Sequence, residues 1–126
     1  RGFTPWEVVE DVQPIDFSVN SINDLEVINF FDAGEEFMKR EVMRQRAKKL
    51  KANLGLVDAK YFLEHVKEPP VEMRNVLLLF PGTILRTPFN ELCYFFLVWE
   101  GREGWHKELT CSTVNSGFRL LRLRAH

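Results

Sequence analysis

The chain has 126 residues, of which 45% are hydrophobic, and a formal net charge of −1 at pH 7. This length suits one domain, which buries roughly two thirds of the surface that its unfolded chain exposes. The longest apolar run, residues 92–99, is far shorter than the ~20 residues that cross a bilayer, and this excludes a membrane-spanning helix. No signal-peptide pattern opens the chain, so we expect a soluble protein inside the cell, in a compartment that the sequence leaves open. Because the chain begins at Arg1 without a methionine, we expect a processed product or a fragment.

The charges are strongly segregated along the chain. Residues 1–38 contain nine acidic residues and one basic residue, whereas residues 39–51 contain seven basic residues and one acidic residue. The near-neutral total therefore conceals an acidic first part and a basic middle part. A near-neutral total also argues against a protein dedicated to nucleic-acid binding.

Residues 1–20 are predicted to form an extended acidic arm. Ile15, Phe17 and Val19 alternate with polar residues, and this period of two is typical of a half-buried strand. The earlier part, residues 6–12, mixes apolar and acidic residues, so it can be a short edge strand or a peptide that lies on another surface. The large apolar residues of the arm are the candidate partner-binding residues: Phe3, Trp6 and Val8.

Residues 21–68 are predicted to be helical. Ser21 and Asp24 resemble a capping pair, so a long amphipathic helix is expected to begin near Ile22 and to end at about Asn53, bent or divided by Gly34. Cations on successive turns line one edge of its apolar face: Arg40, Arg44, Lys48 and Lys51. Such a basic strip is usually solvated or neutralised by acids of the same chain. The alternative is contact with the phosphates of a nucleic acid.

A short second helix and a β-sheet are predicted to follow. Asp58 is the expected N-cap of a helix through Val66, which has to end before the two prolines at positions 69 and 70. Residues 71–126 then predict an antiparallel meander of four to five strands that can curl into a small barrel, with a turn at Pro81 and Gly82. The predicted fold is therefore α+β, with one domain over residues 21–126. The predicted strands are residues 75–80, 83–87, 91–100, 105–112 and 118–124.

The clearest local prediction is a hairpin closed by residues 100–104, where two glycines supply the backbone angles of a tight turn. If residues 100 and 104 pair, Trp99 faces Trp105 and Cys93 faces Cys111. Opposite cysteines lie within disulfide reach, but without a secretory signal two buried thiols are the favoured interpretation.

The sequence offers little for catalysis. His106 and Glu108 lie two residues apart on one strand face, without a third ligand at a recognisable spacing. A glycine-rich phosphate loop, a nucleophile elbow and a metalloprotease helix are all absent from the sequence. We therefore expect no catalytic residue, no metal and no cofactor.

These observations favour a non-enzymatic protein-interaction module, an accessory or structural subunit of a larger macromolecular assembly. The arm, the strand of residues 92–99 that is apolar on both faces, and the eleven phenylalanines all suggest apolar surface that a partner protein or a second copy covers. One alternative is a nucleic-acid-binding protein that uses the basic helix 39–51. The other is a small hydrolase or metal enzyme that uses His106 and Glu108.

Overall fold

The computed structural model describes residues 6–124 and has the expected α+β architecture. Short 3₁₀ turns at Ile22–Asp24, Val71–Met73 and Gly101–Glu103 separate some of the elements. None of the helices in this described range is long and apolar enough to traverse a bilayer. In chain order the elements are strands β1 (Glu7–Glu10), β2 (Leu25–Ile28) and β3 (Phe37–Met38), helices α1 (Arg40–Lys49) and α2 (Leu56–His65), and strands β4 (Leu77–Arg86), β5 (Leu92–Trp99), β6 (Trp105–Thr110), β7 (Val114–Asn115) and β8 (Phe118–Leu123).

The main sheet has six strands. Five of them are ordered β2-β8-β4-β5-β6, and β1 pairs with the second half of β4. The β4-β5-β6 part is an antiparallel meander as expected, but β8 runs parallel to the first half of β4. The sheet is open, with β1, β2 and β6 as its edge strands, so it does not form the barrel expected as a possibility from the sequence. Strands β3 and β7 form a separate antiparallel pair.

Both faces of the sheet are covered, which explains why β5 is apolar throughout. Helix α2 packs on one face, where Phe62 joins a buried cluster with Phe80 and Leu97. Helix α1 packs on the other face, where Met43 joins a second cluster with Tyr94. A strand buried on both sides does not alternate between apolar and polar residues. We refer to these as the α2 face and the α1 face.

The prediction of a long helix from Ile22 is wrong. Ser21 and Asp24 do form the expected capping box, but it caps a single 3₁₀ turn, and Leu25 is already extended with φ −95° and ψ 147°. Residues 25–28 instead form β2, which pairs with β8 at the far end of the chain. The basic helix is therefore ten residues long, and residues 21–68 contain strands as well as helices. Pairing with a distant strand has overridden a weak local helical preference.

The predicted strand at residues 15–19 is also absent: residues 17–19 form a turn. The alternating apolar residues instead dock on α2. The ring of Phe17 stacks on Tyr61 with 3.9 Å between centroids, and the Ile15 amide donates to the Asp58 carboxylate at 2.9 Å. Asp58 is not the N-cap of α2 but its third residue, and it accepts a hydrogen bond from the amide of the N-cap, Gly55.

Strand β4 runs through Pro81 and Gly82, where the sequence predicted a turn. The Gly82 amide leaves the ladder and donates to the carbonyl of Leu54 at 2.8 Å, and the register with β5 shifts between Phe80 and Leu85. A Cβ atom on Gly82 would lie 2.1 Å from the carbonyl oxygen of Asn53. The glycine therefore permits close approach of the α1–α2 connection rather than a chain reversal.

The hairpin prediction is confirmed in detail. Trp99 pairs with Trp105, and both Gly101 (φ 51°) and Gly104 (φ 83°) have positive φ angles. Cys93 and Cys111 face each other with 4.1 Å between Cα atoms and form a disulfide, so the favoured expectation of two free thiols is wrong. The bond links β5 to the residue that follows β6.

Candidate interaction surface

The arm enters the sheet as edge strand β1, and a shift in its register divides its side chains between the two faces. Val8 pairs with Leu85, whereas Glu10 pairs with Ile84, so that Val9 has no partner in β4. Directly paired residues share a face, and neighbours along a strand face opposite sides. Val8 therefore lies on the α2 face, and the shift turns Glu10 towards α1.

Glu10 is the acid that meets the predicted basic strip. Its carboxylate forms an ion pair with Arg44 and lies 3.5 Å from the Lys48 ammonium. The fold thus partly neutralises the basic strip, because an acid of the arm lies over two of its four cations.

The other two residues of the strip have different roles. Arg40 donates to the backbone carbonyls of Leu92 (3.2 Å) and Cys111 (2.9 Å), so it ties α1 to the start of β5 and to the residue that follows β6. Lys51 follows α1 with a φ of 56° and is exposed. The structure therefore brings Arg44 and Lys48 to one carboxylate and places Arg40 and Lys51 in separate environments.

Sequence reasoning missed Arg46, which makes the most complete ion pair of α1. Its guanidinium donates to both oxygens of Glu35 at 2.6 and 2.8 Å and to the carbonyl of Phe30 at 3.1 Å. The hydrogen bonds that Glu35 accepts from Arg46, and then the one from the Asp32 amide, lower the pKa of Glu35 from 4.5 to about 2. The helical spacing placed Arg46 off the predicted strip, and no local pattern connects it with a residue eleven positions earlier.

Two buried polar groups hold the arm beside the start of α2. The Thr83 hydroxyl is buried, donates to the Asp11 carboxylate at 2.6 Å and accepts from the Leu56 amide at 2.7 Å. Asp58, which binds the Ile15 amide, is 2% exposed, and burial raises the pKa of its carboxyl. Because buried polar groups are costly to leave unpaired, these bonds fix the path of residues 11–15. They also fix the position of β1.

An apolar cleft opens on the α2 face between the arm and β6. Three of its apolar side chains remain exposed, namely Trp6 (37%), Val8 (49%) and Leu109 (37%). The ammonium of Lys107 lies 5.1 Å from the centre of the Phe95 ring. The cleft has a volume of about 310 Å³ and is lined by Trp6, Val8, Leu56, Leu85, Phe95, Lys107 and Leu109. Two of the three predicted arm residues thus share one surface, and the third, Phe3, lies outside the described residues.

The structure groups His106 with residues other than Glu108. The Nε2 atom of His106 is buried and lies 3.0 Å from Glu103 Oε1, although the two do not have hydrogen-bond geometry. Potential ligand atoms of Glu100, Glu103 and His106 all lie within 4.8 Å of one another. Both glutamates are exposed, and exposed acids beside an imidazole commonly carry no metal. This cluster therefore supports neither a catalytic nor a metal assignment.

The chain was compared with models of known protein families, with curated proteins and with solved structures. None of these comparisons gives a significant match.

Proposed function

We propose that the chain is a non-enzymatic protein-interaction module, an accessory or structural subunit of a larger assembly, whose protein partner contacts the apolar cleft. The observation that supports this proposal is the convergence of three exposed apolar side chains, Trp6, Val8 and Leu109, on one concave surface. Apolar side chains exposed singly are common on protein surfaces, whereas several around one cleft are typical of a contact site.

The chemistry of the cleft suits a protein partner. Tryptophan is among the residues that contribute most to binding energy at protein interfaces, particularly where neighbouring contacts exclude water. Trp6 stands at the rim and Phe95 at the floor, so an apolar side chain of a partner is enclosed by aromatic and aliphatic groups. Lys107 adds a cation at the rim that favours an acidic residue beside the inserted group.

The hydrogen bonds of the arm support a preformed site. Asp11 and Ile15 are held by buried groups of the domain, so Val8 is presented by a paired strand and Trp6 directly precedes that strand. A contact surface that is already ordered loses less conformational entropy when a partner binds.

The contacts of Glu10 with the basic strip favour the interaction module over nucleic-acid binding through α1. Phosphate contacts by Arg44 or Lys48 have to compete with the Glu10 carboxylate. Within residues 6–124, Glu108 is not among the residues whose ligand atoms cluster with those of His106, which gives the alternative of a hydrolase or metal enzyme no support.

The test is site-directed photo-cross-linking in the native source. A photoreactive amino acid replaces Val8, and a matched variant carries it at Val19, which is 77% exposed and does not line the cleft. We expect one specific adduct from position 8 that position 19 does not give. The adduct is identified by mass spectrometry, and the purified partner is then titrated with the wild-type chain.

Two substitutions decide the outcome of that titration. Trp6→Ala and Leu109→Ser are expected to weaken partner binding by roughly thirtyfold or more each, since anchor residues are worth about 2 kcal/mol or more. Equal cross-linking at both positions, or unchanged affinity of both variants, contradicts the proposal. If the adduct is a second copy of the chain, sedimentation equilibrium of the same variants measures the change in self-association.

A further inference from the structure

A second concave surface lies at the opposite end of α2. The cleft described above adjoins Leu56 at the start of the helix, whereas this groove adjoins Leu63 and Val66 at its end. It has a volume of about 900 Å³, within the range of small-molecule sites. Its principal side chains are Lys67, Arg74, Trp99, Arg102, Glu103 and Trp105.

Two tryptophans form the aromatic part of the groove, and their positions are fixed by the fold. The Trp105 indole N–H donates to the carbonyl of Val66 at 2.8 Å, and its ring makes an edge contact with Phe62 at 5.8 Å between centroids. Trp99 and Trp105 are cross-strand partners in the confirmed hairpin and pack edge to face at 5.1 Å. Both rings are half-buried, so each retains an accessible part.

Three cations surround these rings: Lys67, Arg74 and Arg102. In the part of the chain that the structure describes, none of them forms an ion pair with a carboxylate. Arg74 donates through Nε to the carbonyl of Pro69 at 2.9 Å, which orients its guanidinium. The groove also contains Glu68 and Glu103, so its walls carry a formal charge of +1.

We infer that this groove binds a nucleotide, that is, a nucleobase linked through its sugar to a phosphate group. Indole rings stack on the flat face of any base, and lysine and arginine bind phosphate by charge and by N–H donation. A purely apolar ligand leaves the three cations unused, and an inorganic anion leaves the two tryptophans unused. The base can belong to a free nucleotide or to an unpaired residue of a single strand. This inference does not depend on the proposed protein partner, because it concerns the other end of α2.

The experiment titrates the full chain with four probes: adenosine monophosphate, adenosine, inorganic phosphate and a short, fluorescently labelled oligothymidylate. Calorimetry measures the first three, and fluorescence anisotropy measures the oligonucleotide. We expect adenosine and phosphate each to bind at least roughly tenfold more weakly than adenosine monophosphate, since each makes only one of the two kinds of contact. Tight binding of the oligonucleotide that adenosine monophosphate displaces assigns the base to a single strand. Binding of adenosine monophosphate alone assigns it to a free nucleotide.

The variants locate the site. Arg102→Ala, at the exposed hairpin tip, is expected to weaken binding roughly tenfold. With the oligonucleotide it is also expected to reduce the slope of log K against log salt by about 0.7. Trp99→Ala is expected to weaken binding roughly five- to 150-fold. If the Trp99→Ala variant does not fold, Lys67→Ala takes its place as the second variant, because Lys67 is exposed. Lys49→Ala on α1 is the matched control and is expected to bind as the wild type does.

Absence of binding by both adenosine monophosphate and the oligonucleotide overturns the inference. It is also overturned if binding survives Arg102→Ala unchanged but is lost in Lys48→Ala, because the ligand then uses the basic strip of α1. A failure of the cross-linking experiment at Val8 leaves these outcomes unaffected.

Discussion

The pairing of Glu10 with α1 can be tested as an energetic coupling. Glu10→Gln removes the carboxylate charge with little change in shape, and Arg44→Ala removes the closer of its two partners. If the carboxylate of the arm contributes to holding β1 against α1, the two substitutions are not additive. The double variant loses less stability than the sum of the two single losses.

The exposure of the side chains sets the magnitude of this coupling. Arg44 is 29% exposed and Glu10 is 41% exposed, so solvent screens the pair only in part. Ion pairs of this kind are typically worth about 0.2–1 kcal/mol, and we expect about 0.5–1 kcal/mol for Glu10 with Arg44. Lys48 is 56% exposed and 3.5 Å away, so we expect at most about 0.5 kcal/mol for Glu10 with Lys48.

Urea unfolding of the four members of each cycle, at low and at high salt, measures these couplings. The matched control is Lys49→Ala, because Lys49 is exposed on the same helix and forms no ion pair within residues 6–124. Its coupling to Glu10→Gln is expected to be about zero. If Lys49 couples to Glu10 as strongly as Arg44 does, the effect is one of general helix charge. That result contradicts a specific pairing of Glu10 with Arg44.

Three further results are expected. Arg46 lowers the pKa of Glu35 from 4.5 to about 2, so the stability that this ion pair contributes is fully present above pH 4.5 and is lost as the pH falls towards 2. Urea midpoints measured across this pH range are therefore expected to fall less steeply for Glu35→Gln than for the wild type. Gly82→Ala places a Cβ 2.1 Å from a backbone oxygen and is expected to cost about 1–3 kcal/mol in urea unfolding, whereas a neutral result contradicts the close approach to Asn53. Reduction of the bond between Cys93 and Cys111, which are 18 residues apart, is expected to lower the free energy of unfolding by about 3 kcal/mol, and a reductant is expected to have no effect on a variant with alanine at both positions.

The parts of the fold that could be predicted are those that local residues determine. The hairpin of β5 and β6 needs only two glycines and a short turn, and its register followed from one assumed pair. Helix α2 was predicted from a short apolar pattern through Val66 that ends before two prolines, although its first residue lies two positions before the expected cap at Asp58. In both cases the residues that set the structure are close together in the sequence.

The wrong predictions concern residues whose partners are distant in the sequence. β2 forms because Leu25 pairs with Leu123, and nothing within residues 21–28 indicates that partner. The same applies to the candidate surface. Trp6 and Val8 were identified as apolar residues of the arm, but Leu109 became part of their cleft only through the order of β1, β4, β5 and β6 in the sheet. Val8 and Glu10 lie on opposite faces of the sheet because of a register shift in β1, and an alternation of apolar and polar residues does not predict such a shift.

Both concave surfaces have a common geometric origin in the length of α2. Ten helical residues span about 15 Å, whereas the eight residues of β5 span about 27 Å, so the helix is roughly half as long as the strand. Phe95 and Trp99 of β5 lie about 14 Å apart along the strand, close to the helix length, and each lines the concavity at one end of α2. Trp99 at one end is half-buried and Phe95 at the other end lies at the floor of the cleft, while Leu97 between them is fully buried. The short second helix therefore leaves two separate concave surfaces open on one face of the sheet.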